Sequence, residues 1–206
     1  MIIIKSDYKK EFKSLYFPKG VPELVQVPSM SFISVKGEGD PNEADFALAT
    51  QALYSLAYAV KMSYKSGTPP EGYYEYRVFP LEGVWDLIDI TKPNTDKSNY
   101  KYEIMIRQPD FLTQELFDYF LTSAKKKKPN KYLDKAAMVT FEEGLCCQMM
   151  HTGRYDDEPA SFARMEQFCE NSGFKRSDLR HREIYISDPR KVSPDKLKTV
   201  LRFPVL

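Results

Sequence analysis

Two stretches of this chain echo one another at a fixed distance, and that constrains its folding more than any other feature. Tyr102-Glu103-Ile104-Met105-Ile106-Arg107-Gln108-Pro109 and Arg182-Glu183-Ile184-Tyr185-Ile186-Ser187-Asp188-Pro189 share one pattern, x-Glu-Ile-x-Ile-x-x-Pro, at an offset of 80 residues. The echo continues beyond the prolines: Thr113 matches Ser193, both good helix N-caps, with Pro194 suited to a first helical position. Phe117, Phe120 and Leu121 then match Leu197, Val200 and Leu201. Upstream, Ser34–Gly39 reads as a strand entering a helix, with Asp40 expected as N-cap, Pro41 at N1 and Glu43 at N3. That helix carries Phe46, Ala49, Leu53, Leu56, Ala57 and Val60 on one face. In the second half Gln148–Gly153 leads through Asp156-Asp157-Glu158-Pro159 into a helix with Phe162, Met165, Phe168 and Cys169 on one face. Phe46 and Phe162 are 116 residues apart, so the first half is expected to hold an insertion over about 66–98, with the tyrosine cluster and Trp85.

A repeated strand-helix-strand unit predicts an α+β fold of duplicated modules related by pseudo-twofold symmetry. Helices would cover one sheet face, leaving a central ligand cleft on the other. The expected organisation is a single domain over residues 1–206, with a first module at about 22–128 and a second at about 133–206. A chain of 206 residues buries a sufficient core without disulfides or metals.

Charge excludes several roles. Thirty Lys and Arg stand against 29 Asp and Glu, so no global field would hold the chain on nucleic acid or an anionic membrane. The run Lys125–Lys128 ends a helical pattern, where cations oppose the negative end of the helix dipole. The cysteines, Cys146, Cys147 and Cys169, are odd in number and form no CxxC pair, as in a reducing compartment. With only His151 and His181 to help them, they do not suggest a metal site, and no cofactor motif is present. The start, Met1-Ile2-Ile3-Ile4-Lys5, is too short for a secretion signal, and no apolar run of about 20 residues exists to span a membrane. The expectation is a cytoplasmic protein whose partner is a small molecule; the sequence leaves its oligomeric state open.

Fourteen Tyr, thirteen Phe and one Trp suit the half-wet wall of a ligand pocket, and equally an ordinary sheet surface. Along the second Glu-Ile strand His181, Glu183 and Tyr185 share a face opposite Ile184 and Ile186; along the first, Glu103, Met105 and Arg107 lie opposite Ile104 and Ile106. The isoleucines are the expected helix-covered side. Glu103 and Glu183 would then approach one cleft from opposite directions. His151 precedes a glycine turn, where a capping role competes with ligand contact. Trp85 suits core or pocket wall. Cys146 and Cys147 have no histidine near in sequence to activate them, so a carboxylate acting with tyrosines is the coherent catalytic set.

The blocks Glu143–Pro159, His181–Arg190 and Ser193–Arg202 together resemble the stand-alone branch of the GyrI-like small-molecule-binding proteins. The resemblance spans most of the chain and implies two duplicated modules whose sheets enclose an aromatic pocket. In related effector-binding domains of transcription activators a buried Glu accepts cationic aromatic ligands, and Glu183 occupies the matching place. Some stand-alone members are similar to enzymes that hydrolyse strained cyclopropane rings in DNA-alkylating natural products and so protect the cell. On that reading Glu183 is the base, and Tyr155 or Tyr185 donates to the substrate carbonyl oxygen. Trp85, Tyr73 and Tyr76 would stack a flat substrate, with Glu103, Met105, His151 and His181 as further ligand contacts. A non-catalytic sensor or sequestering protein is the alternative, and a gyrase-interacting module a more distant one.

Overall fold

The computed structural model describes residues 5–67, 69–93 and 95–206. Met1–Ile4, read above as too short for a secretion signal, lie outside the described residues. In chain order the elements are β1 Lys5–Ser6, α1 Tyr8–Glu11, α2 Lys13–Tyr16, β2 Glu23–Val27, β3 Met30–Glu38, α3 Ala44–Lys61, β4 Glu75–Tyr76 and β5 Leu81–Leu87. They continue with β6 Tyr100–Arg107, α4 Gln114–Lys127, β7 Ala137–Phe141, β8 Gly144–Thr152, α5 Glu158–Asn171, β9 His181–Tyr185 and β10 Lys198–Pro204. The fold is α+β, as expected. No helix among the described residues is long and apolar enough to cross a membrane. The chain forms two compact units, one from residues 5–7, 30–81 and 87–141, the other from residues 8–29, 82–86 and 142–206.

In the first unit β3 lies between β6 and β7 in an antiparallel ladder, with Ile33 opposite Ile106 and Val35 opposite Ile104. Helix α3 buries Ala49, Ala52, Leu53, Leu56, Ala57 and Val60 against this ladder, on the isoleucine side, as expected. Its start differs from expectation. Asp40 accepts from the backbone and side-chain amides of Asn42 at 2.8 and 2.7 Å; this Asx turn delays the helix to Ala44, with Glu43 as an extended N-cap. Thr113 caps α4 as expected, accepting from Leu116 N at 3.2 Å, and Lys125, Lys126 and Lys127 fill its last turn.

Gly37 pairs with Tyr102 across the ladder, and a Cβ there would lie 2.6 Å from the Tyr102 ring. That ring is buried and packed edge-on against Phe46 at 5.1 Å, so it has little room to yield. Gly37→Ala is expected to cost about 1–3 kcal/mol by overpacking, read as a lower midpoint in urea denaturation.

The second unit is a five-strand antiparallel array in the order β2-β8-β10-β9-β5. Helix α5 packs Met165 and Cys169 onto Cys147, Met149, Leu201 and Phe203, with Phe162 and Phe168 at the margin. Leu201 lies opposite both Met149 and Glu183, and directly paired residues share a face. Glu183 is therefore on the helix-covered side in this unit, and Ile184 is on the other, correcting the expected orientation. The opposite face carries Arg182, Arg202, Gln148 and Glu82 as a buried polar layer, joined by Tyr16 of α2.

The echo at offset 80 also needs correcting. In the first unit β6 pairs directly with β3, whereas in the second the neighbour of β8 is β10, and β9 lies one strand beyond. By place in the ladder β6 corresponds to β10, so Glu103 is not the counterpart of Glu183. Leu197, Val200 and Leu201 do not continue a helix. Ser193 and Pro194 open only a short 3₁₀ turn, and Val200 and Leu201 belong to β10. Residues 81–87, within the stretch expected as an insertion, form β5, whose Trp85 pairs with His181.

Candidate functional site

Strand alternation puts His181, Glu183 and Tyr185 on one face of β9, and the second unit surrounds them with Trp85 from β5, Tyr155 from the turn after β8, and Glu158 and Phe162 from α5. Glu183 is held from both oxygens. The Tyr185 hydroxyl donates to its Oε2 at 2.8 Å, and His181 Nε2 lies 3.2 Å from its Oε1. Trp85 Nε1 donates to the Tyr185 oxygen at 2.9 Å, completing a chain from indole through phenol to carboxylate. Burial, then the charge of Glu183, pushes the Tyr185 phenol well above its ordinary range, so it remains a donor.

Tyr155 meets the edge of Tyr185 at 5.9 Å and is 38% exposed. Burial and the nearby Glu183 and Glu158 charges push its phenol up to about 12. No hydrogen bond ties its hydroxyl to any described residue. The two tyrosines thus differ: Tyr185 is committed to the carboxylate, and Tyr155 has its proton to offer.

Glu158 is the residue that sequence reasoning missed. It opens α5 and is only 6% exposed. Burial first, then the charge of Glu183 and a hydrogen bond to it, raise its carboxyl well above the usual carboxylate range. Its Oε1 is buried with no donor beside it among the described residues. The signal was its phase: Glu158, Ser161, Phe162, Met165 and Cys169 recur at helical spacing, so this acid sits on the buried stripe and not merely at a helix start.

His151 has a structural place. Its Nε2 meets the Arg154 carbonyl at 3.0 Å and its Nδ1 the Ser161 hydroxyl at 2.9 Å. A carbonyl only accepts, so Nε2 carries the hydrogen and Nδ1 accepts from Ser161, pinning the turn to α5. His181 is edge-on to Phe162 at 4.8 Å. The remaining expected contacts belong to the first unit. Glu103 accepts from Ser34 Oγ at 2.7 Å and faces Lys36, while Met105 is fully buried. Tyr73 donates to the Lys61 carbonyl at 2.8 Å, at the end of α3. Tyr73 and Tyr76 both pack on Phe111, and Tyr76 lies beneath the Lys61 ammonium. The cysteines are free and buried, and burial pushes the Cys146 thiol up to about 12, which removes it as a nucleophile.

The GyrI-like small molecule binding domain matches residues 21–206. A solved structure of a hydrolase from Listeria innocua is 41% identical, with 98% of this chain and 100% of that one covered and a TM-score of 0.89. An uncharacterized conserved protein from Listeria innocua is 42% identical over the same shares, with a TM-score of 0.92. The EcmrR C-terminal domain, 15% identical over 90% of this chain and 96% of that one, shares the fold with a TM-score of 0.57. Among curated proteins there is no match.

Proposed function

The chain belongs to the GyrI-like family of small-molecule-binding domains, and from that premise we propose that its second unit hydrolyses an electrophilic cyclopropane fused to an aromatic carbonyl system. The observation that carries the reading is the division of labour around Glu183: a carboxylate oriented by Tyr185 beside a phenol, Tyr155, whose hydroxyl is uncommitted. The likeness to a hydrolase at 41% identity over nearly the whole of both chains supports it.

Glu183 takes a proton from water as the water oxygen bonds to the ring methylene. The strained carbon–carbon bond breaks, and its electron pair flows through the conjugated system to the carbonyl oxygen. Tyr155 donates a proton there, and the product is a phenol bearing a hydroxymethyl group, heavier by one water. Glu183 then returns its proton to solvent and Tyr155 regains one. The aromatic edges of Tyr155, Tyr185 and Phe162 fit a flat substrate. Trp85 serves by polarising Tyr185 through its indole N–H.

The test is incubation of the protein with a spirocyclopropane dienone, following products by mass. A gain of one water supports a hydrolase; compound bound but recovered unchanged makes this a binding protein that sequesters or senses its ligand. Tyr155→Phe is expected to lower kcat about 10²-fold, the usual effect of removing one donor to a developing oxyanion, with KM little changed. Equal loss in Tyr155→Phe and Tyr185→Phe through KM alone would assign both hydroxyls to ligand binding and not to the chemical step.

A further inference from the structure

We infer that Glu158 and Glu183 work as a pair holding a single proton, in which Glu158 is the positioning residue that keeps Glu183 oriented and singly charged. The mechanistic half of this rests on the hydrolase reading; the shared proton does not.

The geometry leaves little choice. Glu158 is nine-tenths buried, its Oε1 meets no donor among the described residues, and the neighbouring charge that weighs most on it is another carboxyl, that of Glu183. Two carboxylates cannot both stay ionised at that range without a cation between them. The groups facing Glu158 supply none that would compensate. From β9 come Glu183 and Tyr185, with His181 against Glu183, and from the turn before α5 come Tyr155 and Asp156. Asp188, just past β9, adds its charge at Tyr155. Of these His181 already faces Glu183 Oε1 at 3.2 Å, and the rest are acidic or neutral. The N-terminal end of α5 favours a carboxylate, but that pull is smaller than the combined effect of burial and a second charge, which is the direction in which Glu158 is displaced. Glu183 already accepts from the Tyr185 hydroxyl, so within the pair Glu183 is the acceptor and Glu158 the donor.

The consequence for catalysis follows from charge. Ring opening delivers negative charge to the substrate oxygen, and a second buried carboxylate beside the base would oppose it. With its proton, Glu158 donates to Glu183 and holds the base in place; without it, the pair is doubly charged and the substrate oxyanion is destabilised.

Glu158→Gln separates these roles, because the amide donates to Glu183 but has no proton to lose. In the wild type kcat/KM is expected to fall at least tenfold as alkaline pH strips the pair of its proton. In Glu158→Gln the rate at neutral pH stays within about threefold and the alkaline fall disappears. Glu158→Leu, which cannot donate, is expected to lose at least tenfold at every pH. A Glu158→Gln profile that falls with the wild type would overturn the inference.

A second readout needs no turnover. A carboxyl raised in the folded state contributes stability that is present below its unfolded value, near 4.5, and is lost as pH rises through the folded one. The denaturation midpoint of Glu158→Gln should therefore gain on the wild type steadily above pH about 5. Parallel stability curves from pH 5 to 9 would overturn the shared proton, whereas absence of hydrolysis in the wild type would overturn the hydrolase reading alone.

Discussion

Glu183→Gln is expected to reduce ring hydrolysis by about 10²–10⁴-fold, the range that a positioned general base contributes, while leaving the protein folded. The amide keeps an oxygen to accept from the Tyr185 hydroxyl, which lies at 2.8 Å in the native site, so the indole–phenol chain through Trp85 has a terminus. What disappears is the basic lone pair that takes the proton from water. The side chain is close to isosteric, so no cavity is made. Its removal also relieves the charge that holds Glu158 protonated, and the melting temperature should hold or rise. Binding can be followed separately, because Trp85 is the single tryptophan and donates directly to the tyrosine that contacts Glu183. Quenching of its fluorescence by the compound, with no water gained by that compound, is the expected signature of the variant. Turnover equal to the wild type would remove Glu183 from the mechanism.

Much of this site could be read from the residues because strand alternation is a strict rule. Once His181, Glu183 and Tyr185 are placed on a strand they must share a face, and they do. Tyr155 came only from the family resemblance, since nothing in its local spacing sets it apart from the other tyrosines. The α+β class and both long helices followed from apolar residues at three- and four-residue spacing. Three things were not legible, each for a physical reason. The run Val200-Leu201-Arg202-Phe203 mimics helical spacing because β10 lies between β8 and β9 and is buried on both faces, which erases the alternation that marks a half-buried strand. The orientation of β9 was misread because Ile184 was assigned to the helix side by hydrophobicity. The face that α5 leaves is also buried, under a polar layer, so apolar character does not distinguish the two sides. Glu158 was hidden by its own virtue as a helix-start residue, a role that accounts for an acid before Pro159 and stops the question of what it faces.

That polar layer has a larger expected effect on stability than any other substitution considered. Arg182→Met should destabilise the second unit by about 3–5 kcal/mol, the usual result of stranding buried charges. Arg182 donates to Glu82 Oε2 and Glu143 Oε2, each at 2.9 Å, and the Arg182 and Glu82 side chains are each 1% exposed. Without the guanidinium, Glu82 retains the Tyr16 hydroxyl at 3.0 Å but no cation among these bonds. Among the described residues Glu143 retains the more distant Arg202, at 3.6 Å, whose other donors are taken by Gln148 and the Leu15 carbonyl. The loss is electrostatic and not merely steric, which makes it separable. Lowering the pH protonates the stranded carboxyl groups, so the gap between variant and wild type should narrow toward acid. Adding Glu82→Gln to Arg182→Met should recover part of the loss, with a coupling of about 0.5–3 kcal/mol in a double-mutant cycle. A variant within 1 kcal/mol of the wild type at neutral pH would show that water or a rearranged Arg202 neutralises the layer. Arg182 and Glu183 are adjacent on β9 and point to opposite faces, so their variants should divide cleanly. Arg182→Met lowers the melting temperature and spares kcat of the folded fraction, and Glu183→Gln does the reverse. Loss of kcat in folded Arg182→Met would mean that the layer also sets the pose of Glu183 through the strand they share.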